Sequence, residues 1–218
     1  MNKFILPCFL LFVLLSSCAK DTKSDAVIYS NTFETGDLKG VTNGTISSFN
    51  NTKVLGMYNN GGFGLTLNDL PDHDMVVVSF DLYVHDSWDG NKAGLDNIDG
   101  PDIWQLKADG SLYINTTFSN NDCPSGTLCA PQSYPADYPN NYNNPKTGAS
   151  RTDLPGVCSW ATNAKGSTLY KISKRISHTD KTLQIQCLDK LSQKNAADPK
   201  CDESWSVDNI VVSVINQN

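Results

Sequence analysis

The sequence predicts an all-β protein, a jelly-roll β-sandwich forming a single domain with one long irregular insert. Three observations carry that expectation. Of the 23 acidic residues only Glu34 and Glu203 are glutamates, so 23 − 2 = 21 are aspartates; helix surfaces favour Glu and Ala, whereas turns and loops favour Asp, Asn and Gly. Over residues 76–85 the side chains alternate, with Val76, Val78, Phe80, Leu82 and Val84 on one face and Val77, Ser79, Asp81, Tyr83 and His85 on the other. That period of two belongs to a strand covered on one side. Short apolar runs also recur between turn formers along the chain, none with a 3.6-residue apolar stripe, and both ends of the domain read as strands. An up-and-down barrel is the alternative architecture, with more even strand spacing.

Taken in order, the first strand is expected over residues 27–33. Short runs follow at 45–49, 54–58 and 63–67, then the long central strand, then 103–107 and 112–118. The Asp109-Gly110 pair between the last two is a strong hairpin signal. From about residue 119 to 167 the pattern dissolves into Asn, Pro, Tyr, Ser and Gly; a loop of that length in a compact domain is either functional or hides regular structure. Periodicity returns at 168–176, 183–188 and 205–215, where Val207, Ile210, Val212 and Val214 supply a closing strand. No solenoid-like repeat is present.

Ahead of the domain, Lys3 gives a short basic start, residues 4–15 form an apolar run, and Ser16 and Ser17 precede a cysteine. This is the pattern of a secretory signal, too short to span a bilayer as a stop-transfer helix. Leu15-Ser16-Ser17-Cys18 closely resembles the lipobox of bacterial lipoproteins. That resemblance implies cleavage before Cys18 and its acylation, palmitate included, and hence a partner in the lipid bilayer. Several acyl chains, at about 0.8 kcal/mol per buried methylene, anchor far more firmly than one. Ala19 in place of Asp resembles the outer-membrane sorting pattern, and Lys20-Asp21 the tether of surface-exposed lipoproteins, so an outer-membrane lipoprotein is expected, periplasmic or surface-exposed. The chain thus divides into a signal peptide at 1–17, a lipidated tether at 18–26 and the sandwich at 27–218. Net charge is −6, and loss of Lys3 makes it −6 − 1 = −7, which excludes nucleic acid as a favourable partner.

Five cysteines remain after Cys8 and Cys18, namely Cys123, Cys129, Cys158, Cys187 and Cys201. An exported protein can oxidise them, and an odd number leaves one thiol. The expected pairs are Cys123 with Cys129 and Cys187 with Cys201, leaving Cys158; the rival pairing joins Cys158 to Cys123 or Cys129.

The catalytic inventory is thin. A glycosidase needs two carboxyl groups flanking a bond, jelly-roll glucanases place theirs around a Glu-x-Asp-x-Glu core, and here the two glutamates stand 203 − 34 = 169 positions apart. A Gly-x-Ser-x-Gly elbow is absent. His73, His85 and His178 are too scattered for a spaced zinc site and are expected at the surface or at strand edges. No catalytic residue is therefore assigned. Oxygen ligands for calcium are better supplied. One candidate set pairs Glu34 with Asp208, on the first and last strands; the other is the loop of Asp86, Asp89 and Asp102, joined by Asp202 or Glu203. The alternative is that these carboxylates cap turns. Trp88, Trp104 and Trp205 could stack on sugar rings while carboxylates such as Asp89 bond the hydroxyls, though Trp104 and Trp205 suit core positions better. Tyr134, Tyr138 and Tyr142 in the insert are further exposed-aromatic candidates.

Phe33-Glu34-x-Gly36 near the start, with Trp205-Ser-Val-Asp208-Asn-Ile near the end, resembles the signature of galactose-binding-like jelly rolls, the fold of many carbohydrate-binding modules. In that class a glutamate of the first motif and an aspartate of the last often hold a structural calcium, which the resemblance places on Glu34 and Asp208. Leu70-Pro71, Asp86-Ser-Trp-Asp-Gly90, Gly100-Pro-Asp102 and Asp202-Glu-Ser-Trp205 also resemble a group of secreted bacterial and protist β-sandwich domains, covering most of residues 27–215. The implied function is a lipid-anchored, calcium-stabilised, non-catalytic binding module for carbohydrate. The rival is a surface structural or adhesion lipoprotein that binds a surface protein, and a hydrolase is third.

Overall fold

The computed structural model describes residues 24–92, 100–124, 129–192 and 197–217. The signal sequence, Cys18 and most of the tether lie outside them. Two antiparallel sheets face each other. The first contains β1 (Ser24–Asn31), β3 (Ile46–Phe49), β4 (Thr52–Tyr58), β6 (Met75–Asp86), β9 (Arg151–Leu154), β10 (Ser167–Ser177) and β12 (Glu203–Asn216), in the order β3-β4-β12-β6-β10-β9. The second runs β2-β5-β11-β7-β8 and contains β2 (Val41–Thr42), β5 (Gly62–Leu67), β7 (Ile103–Ala108), β8 (Ser111–Thr117) and β11 (Leu183–Lys190). The long β12 pairs with β6 along one edge; along the other, β4 takes its first half and β1 its second. This is the all-β sandwich expected from the composition.

The central strand alternates as read. Val76, Val78, Phe80, Leu82 and Val84 are buried between the sheets, together with Trp88, Trp104 and Trp205, each fully buried. Trp104 and Trp205 meet edge to face with ring centroids 5.8 Å apart, a favoured geometry for aromatic pairs. The outer face of β6 is half-buried at Val77, Ser79 and Asp81 but closed at Tyr83 and His85, where Phe49, Val54, Leu154, Val157 and Leu169 form a second, smaller core. His85 lies between the hydroxyls of Ser167 and Ser206, at 2.8 Å from each, and burial pushes its pKa down to about 3, so it is neutral.

The hairpin signal is confirmed: Asp109 and Gly110 both have positive φ, 48° and 77°, as a two-residue turn with the twist of its strands requires. Four expectations are corrected. The first strand begins at Ser24, not Val27. The insert is not a single loop, because residues 151–154 form β9 on the edge of the first sheet and Gln132 bridges Asn143; the charged Arg-Thr-Asp sequence of β9 hides it from a hydrophobic pattern. All three histidines are buried, and His73 Nε2 sits 2.7 Å from His178 Nδ1. Cys123 pairs with Cys129 as expected, but Cys201 pairs with Cys158, and Cys187 is a buried thiol inside β11. Cys187 points into the sandwich, where it packs as a small apolar side chain, while Cys158 and Cys201 sit on two short 3-10 turns at the same end of the molecule.

Candidate functional site

The two ends of the sandwich differ. At one end Ser24 pairs with Asn216 and Met75 with Ser177. At the other, Asp86 pairs with Glu203 and His85 with Ser167, and the connecting loops gather there. Asp86 ends β6 at φ 62°, a left-handed conformation that Asp tolerates better than most residues, and this turns the chain away from the sheet into Ser87 and Trp88.

A concavity of 170 Å³ opens at this loop end, lined by Asp86, Ser87, Asn120, Asn121, Trp160 and Lys165, among others. Its frame is hydrogen-bonded throughout. Asn120 donates to the carbonyls of Asp86 at 2.7 Å and Gly166 at 2.9 Å, and Thr168 donates its hydroxyl to Asn120 Oδ1. Asn121 Nδ2 donates to Asp89 Oδ1 at 3.1 Å. The Asp86 carboxylate accepts the Val157 N–H at 3.2 Å. Position 156 must be glycine, because a Cβ there would collide with Asp86 Oδ1 and stand 2.7 Å from Trp160 Cβ. The Cys158–Cys201 bridge fastens the same segment to the start of β12. These ties hold Trp160 in the wall of the cavity with 46% of its surface exposed, whereas the other three tryptophans are enclosed.

Charge in the pocket is uneven. Asp122 accepts from Lys146 Nζ at 3.0 Å and lies 3.6 Å from Lys165 Nζ, and the Lys146 hydrogen bond first of all holds its carboxyl below the usual range. Asp86 goes the other way: burial, offset in part by the Val157 N–H and aided by the nearby Asp202 carboxylate, raises it to about 7.

The structure sorts the residues expected to bind metal. Glu34 and Asp208 come together: the Thr52 hydroxyl donates to Glu34 and lies beside the Asp208 carboxyl, which feels the Glu34 charge. Burial, and then the Glu34 and Asp81 carboxylates, raise Asp208 to about 6. Two carboxylates beside a hydroxyl are hard oxygen donors of the kind calcium takes; Glu34 Oε1 also accepts the Lys53 N–H at 3.0 Å and Asp208 Oδ1 the Asn209 N–H at 2.7 Å, so an ion here would compete with those donors. The second set is not one cluster. Asp86 turns to Val157, Asp102 accepts the Asp89 N–H, and Glu203 is enclosed at the start of β12. Burial raises the Asp102 carboxyl, opposed first by the Asp89 N–H and aided to a lesser degree by the Asp89 charge. Among the described residues, no group of three or more His, Cys, Asp or Glu side chains is arranged to hold a metal.

The expected sugar-stacking residues fare differently again. Trp88 and Trp104 are fully enclosed, Trp88 donating its Nε1–H to Ser204 O at 2.9 Å, so neither offers a ring face to a ligand. Tyr134 packs on Phe118 and Tyr170, with centroids 4.9 and 5.1 Å away, and lines a separate groove of 430 Å³ with Tyr113 and Ile172. Tyr138 is half-buried, its backbone bonded to Asn115. Tyr142 is 73% exposed. A larger concavity of 620 Å³, along Tyr29, Lys39 and Leu70, has no tryptophan.

No family model and no curated protein matches the chain. Solved structures of similar shape do exist, and several are carbohydrate-binding modules, the class that the end motifs resemble. A family 35 module from Clostridium thermocellum is 10% identical with a TM-score of 0.37, over 87% of this chain and 97% of that one. The xylan-binding CBM22-2 domain of Paenibacillus barcinonensis Xyn10C is 11% identical with a TM-score of 0.37, over 85% and 98%. Dimeric latent PorU from Porphyromonas gingivalis is 10% identical at a TM-score of 0.37, over 70% of this chain, which spans only 10% of PorU. At these identities and TM-scores the matches say nothing of a ligand, and the sandwich is established by its own two sheets.

Trp160, Asn121, Asp122 and Lys165 were missed in the sequence. Trp160 stands two residues from Cys158 in a stretch without hydrophobic periodicity, and a tryptophan that close to a cysteine in such a loop is the one signal that could have singled it out.

Proposed function

We propose that the chain is a non-catalytic carbohydrate-binding module, held at the outer membrane through acylated Cys18 and stabilised by calcium at Glu34 and Asp208. The observation that carries the reading is the half-exposed Trp160 on the wall of a small polar pocket. An indole face stacks on the C–H face of a pyranose, while amide, ammonium and carboxyl groups around it bond the hydroxyls. Two carboxyl groups line this pocket, but each already has a structural partner: Asp86 holds Val157 N and Asp122 holds Lys146. That favours binding over hydrolysis.

Two features support the anchored arrangement. Both disulfides suit an oxidising compartment. Residues 19–23 separate Cys18 from β1, a reach of under about 20 Å, and β1 starts at the end of the sandwich opposite the pocket. The central strand spans roughly 35 Å between those ends at about 3.3 Å per residue, so a lipid on Cys18 would point the pocket away from the membrane.

A glycan array probed with the soluble domain tests the function. Sugar-dependent retention that Trp160→Ala removes supports it; a blank array together with specific capture of a surface protein would replace it with the adhesion reading. Mass spectrometry of the native N-terminal peptide tests the anchor, and an unmodified chain beginning ahead of Cys18 would refute it.

A further inference from the structure

We infer that the pocket beneath Trp160 takes one non-anionic pyranose ring at the end of a glycan, rather than a stretch of chain interior or a uronic or sulfated sugar. This rests on the carbohydrate reading above and specifies its ligand.

Size sets the first limit. At 170 Å³ the pocket is well under the roughly 300–1,000 Å³ that encloses a drug-sized ligand, and it suits a single ring. The larger concavities of 390, 430 and 620 Å³ could hold several rings but offer no indole face. The pocket is also built from three separate segments, the end of β6, residues 120–122 and residues 160–166, which converge around one point. A single exposed tryptophan provides one stacking plane, sufficient for one ring.

Charge sets the second. Lys146 and Lys165 both lie against Asp122, so part of the positive charge that could receive a carboxylate or sulfate is already met by a carboxylate of the protein. Asp86 and, behind it, Asp202 add two more carboxyls; among the described residues neither has a lysine or arginine within ion-pair distance. An anionic sugar would face Asp202, and Asp86 where it is ionised, in a half-enclosed site where like-charge repulsion is poorly screened. An uncharged ring can accept from Lys165 and donate to a carboxyl oxygen without that penalty.

Isothermal titration with defined sugars decides the matter. The probes are the methyl glycosides of glucose, galactose, mannose and xylose, a linear tetrasaccharide of each sugar, and glucuronic and galacturonic acids. For whichever neutral sugar binds, the monosaccharide and its tetrasaccharide should agree within about threefold, and both uronic acids should bind at least about tenfold more weakly than that sugar. Trp160→Ala should lose about tenfold or more, and Trp160→Phe should keep most of the affinity, which separates loss of stacking from loss of folding. A tetrasaccharide bound about tenfold more tightly than its monosaccharide, or a uronic acid bound as well as the neutral ring, overturns the inference while leaving carbohydrate binding intact. Sugar binding untouched by Trp160→Ala also overturns it, by placing the site elsewhere. A blank titration with every probe, joined to a blank glycan array, removes the carbohydrate reading and this inference together.

Discussion

Asp86 and Val157 stand 71 positions apart, yet the carboxylate of one accepts the backbone N–H of the other at 3.2 Å. The contact fastens the segment that carries Trp160 to the end of the central strand, so a core element positions a surface ring.

The same carboxyl makes a pH prediction. Burial raises Asp86 from 3.8 to about 7. A carboxyl whose folded pKa exceeds its unfolded value contributes stability that is complete below the unfolded pKa and is lost as pH rises through the folded one. The Asp86 contribution is therefore lost between about pH 4 and about pH 7. Asp86→Asn should make the melting temperature fall less, or rise more, than wild type over that interval. Parallel melting curves for the two proteins would contradict the assignment.

For the cysteines, non-reducing peptide mapping should recover Cys123–Cys129 and Cys158–Cys201. Cys187 should resist alkylation until the protein unfolds, since it is fully buried and burial pushes its thiol up. Replacing Cys158 and Cys201 by serine should cost up to about 4 kcal/mol by the chain-entropy estimate for a loop of this size, against roughly 2 for the shorter Cys123–Cys129 loop. Recovery of a Cys187–Cys201 peptide would overturn the pairing.

Calcium should raise the melting temperature. A ligand that binds only the folded state at about a hundred times Kd adds roughly 2.7 kcal/mol. Because Asp208 is raised to about 6, calcium must displace its proton in acid, and the response should grow as pH climbs through that value. Asp208→Ala should erase most of it. If the response persists in Asp208→Ala and vanishes in Asp102→Ala, the ion belongs to the Asp89 and Asp102 loop; if chelator changes nothing in wild type, these carboxylates serve the fold alone.

How far the sequence could be read depends on what each residue's role requires. The alternation at residues 76–85 and the Asp109-Gly110 turn are local signals, and both survive folding unchanged. Trp88 shows the limit: flanked by Asp86 and Asp89 it reads as a loop-tip ring, but its Nε1–H finds Ser204 O 116 positions away and the indole is enclosed. The pairing of Cys158 with Cys201 likewise depends on two 3-10 turns meeting, for which spacing gives no sign. β9 was invisible because Arg151, Thr152 and Asp153 are all exposed. Glu34 and Asp208, in contrast, were legible as a pair, because motifs at the two chain ends marked strands that lie side by side.

Trp88 and Trp160 should give opposite phenotypes. Trp88→Ala removes a fully buried ring and should cost about 3–5 kcal/mol of stability. Trp160→Ala removes a half-exposed one and should leave the melting temperature within a few degrees of wild type.

The central claim, that the pocket beneath Trp160 binds carbohydrate, is tested most directly by titrating the best glycan-array ligand into wild type and Trp160→Ala, with melting temperatures recorded on the same samples. The account predicts saturable binding to wild type, an affinity lower by at least about tenfold in the variant, and unchanged melting. Equal affinity in the two folded proteins would contradict it.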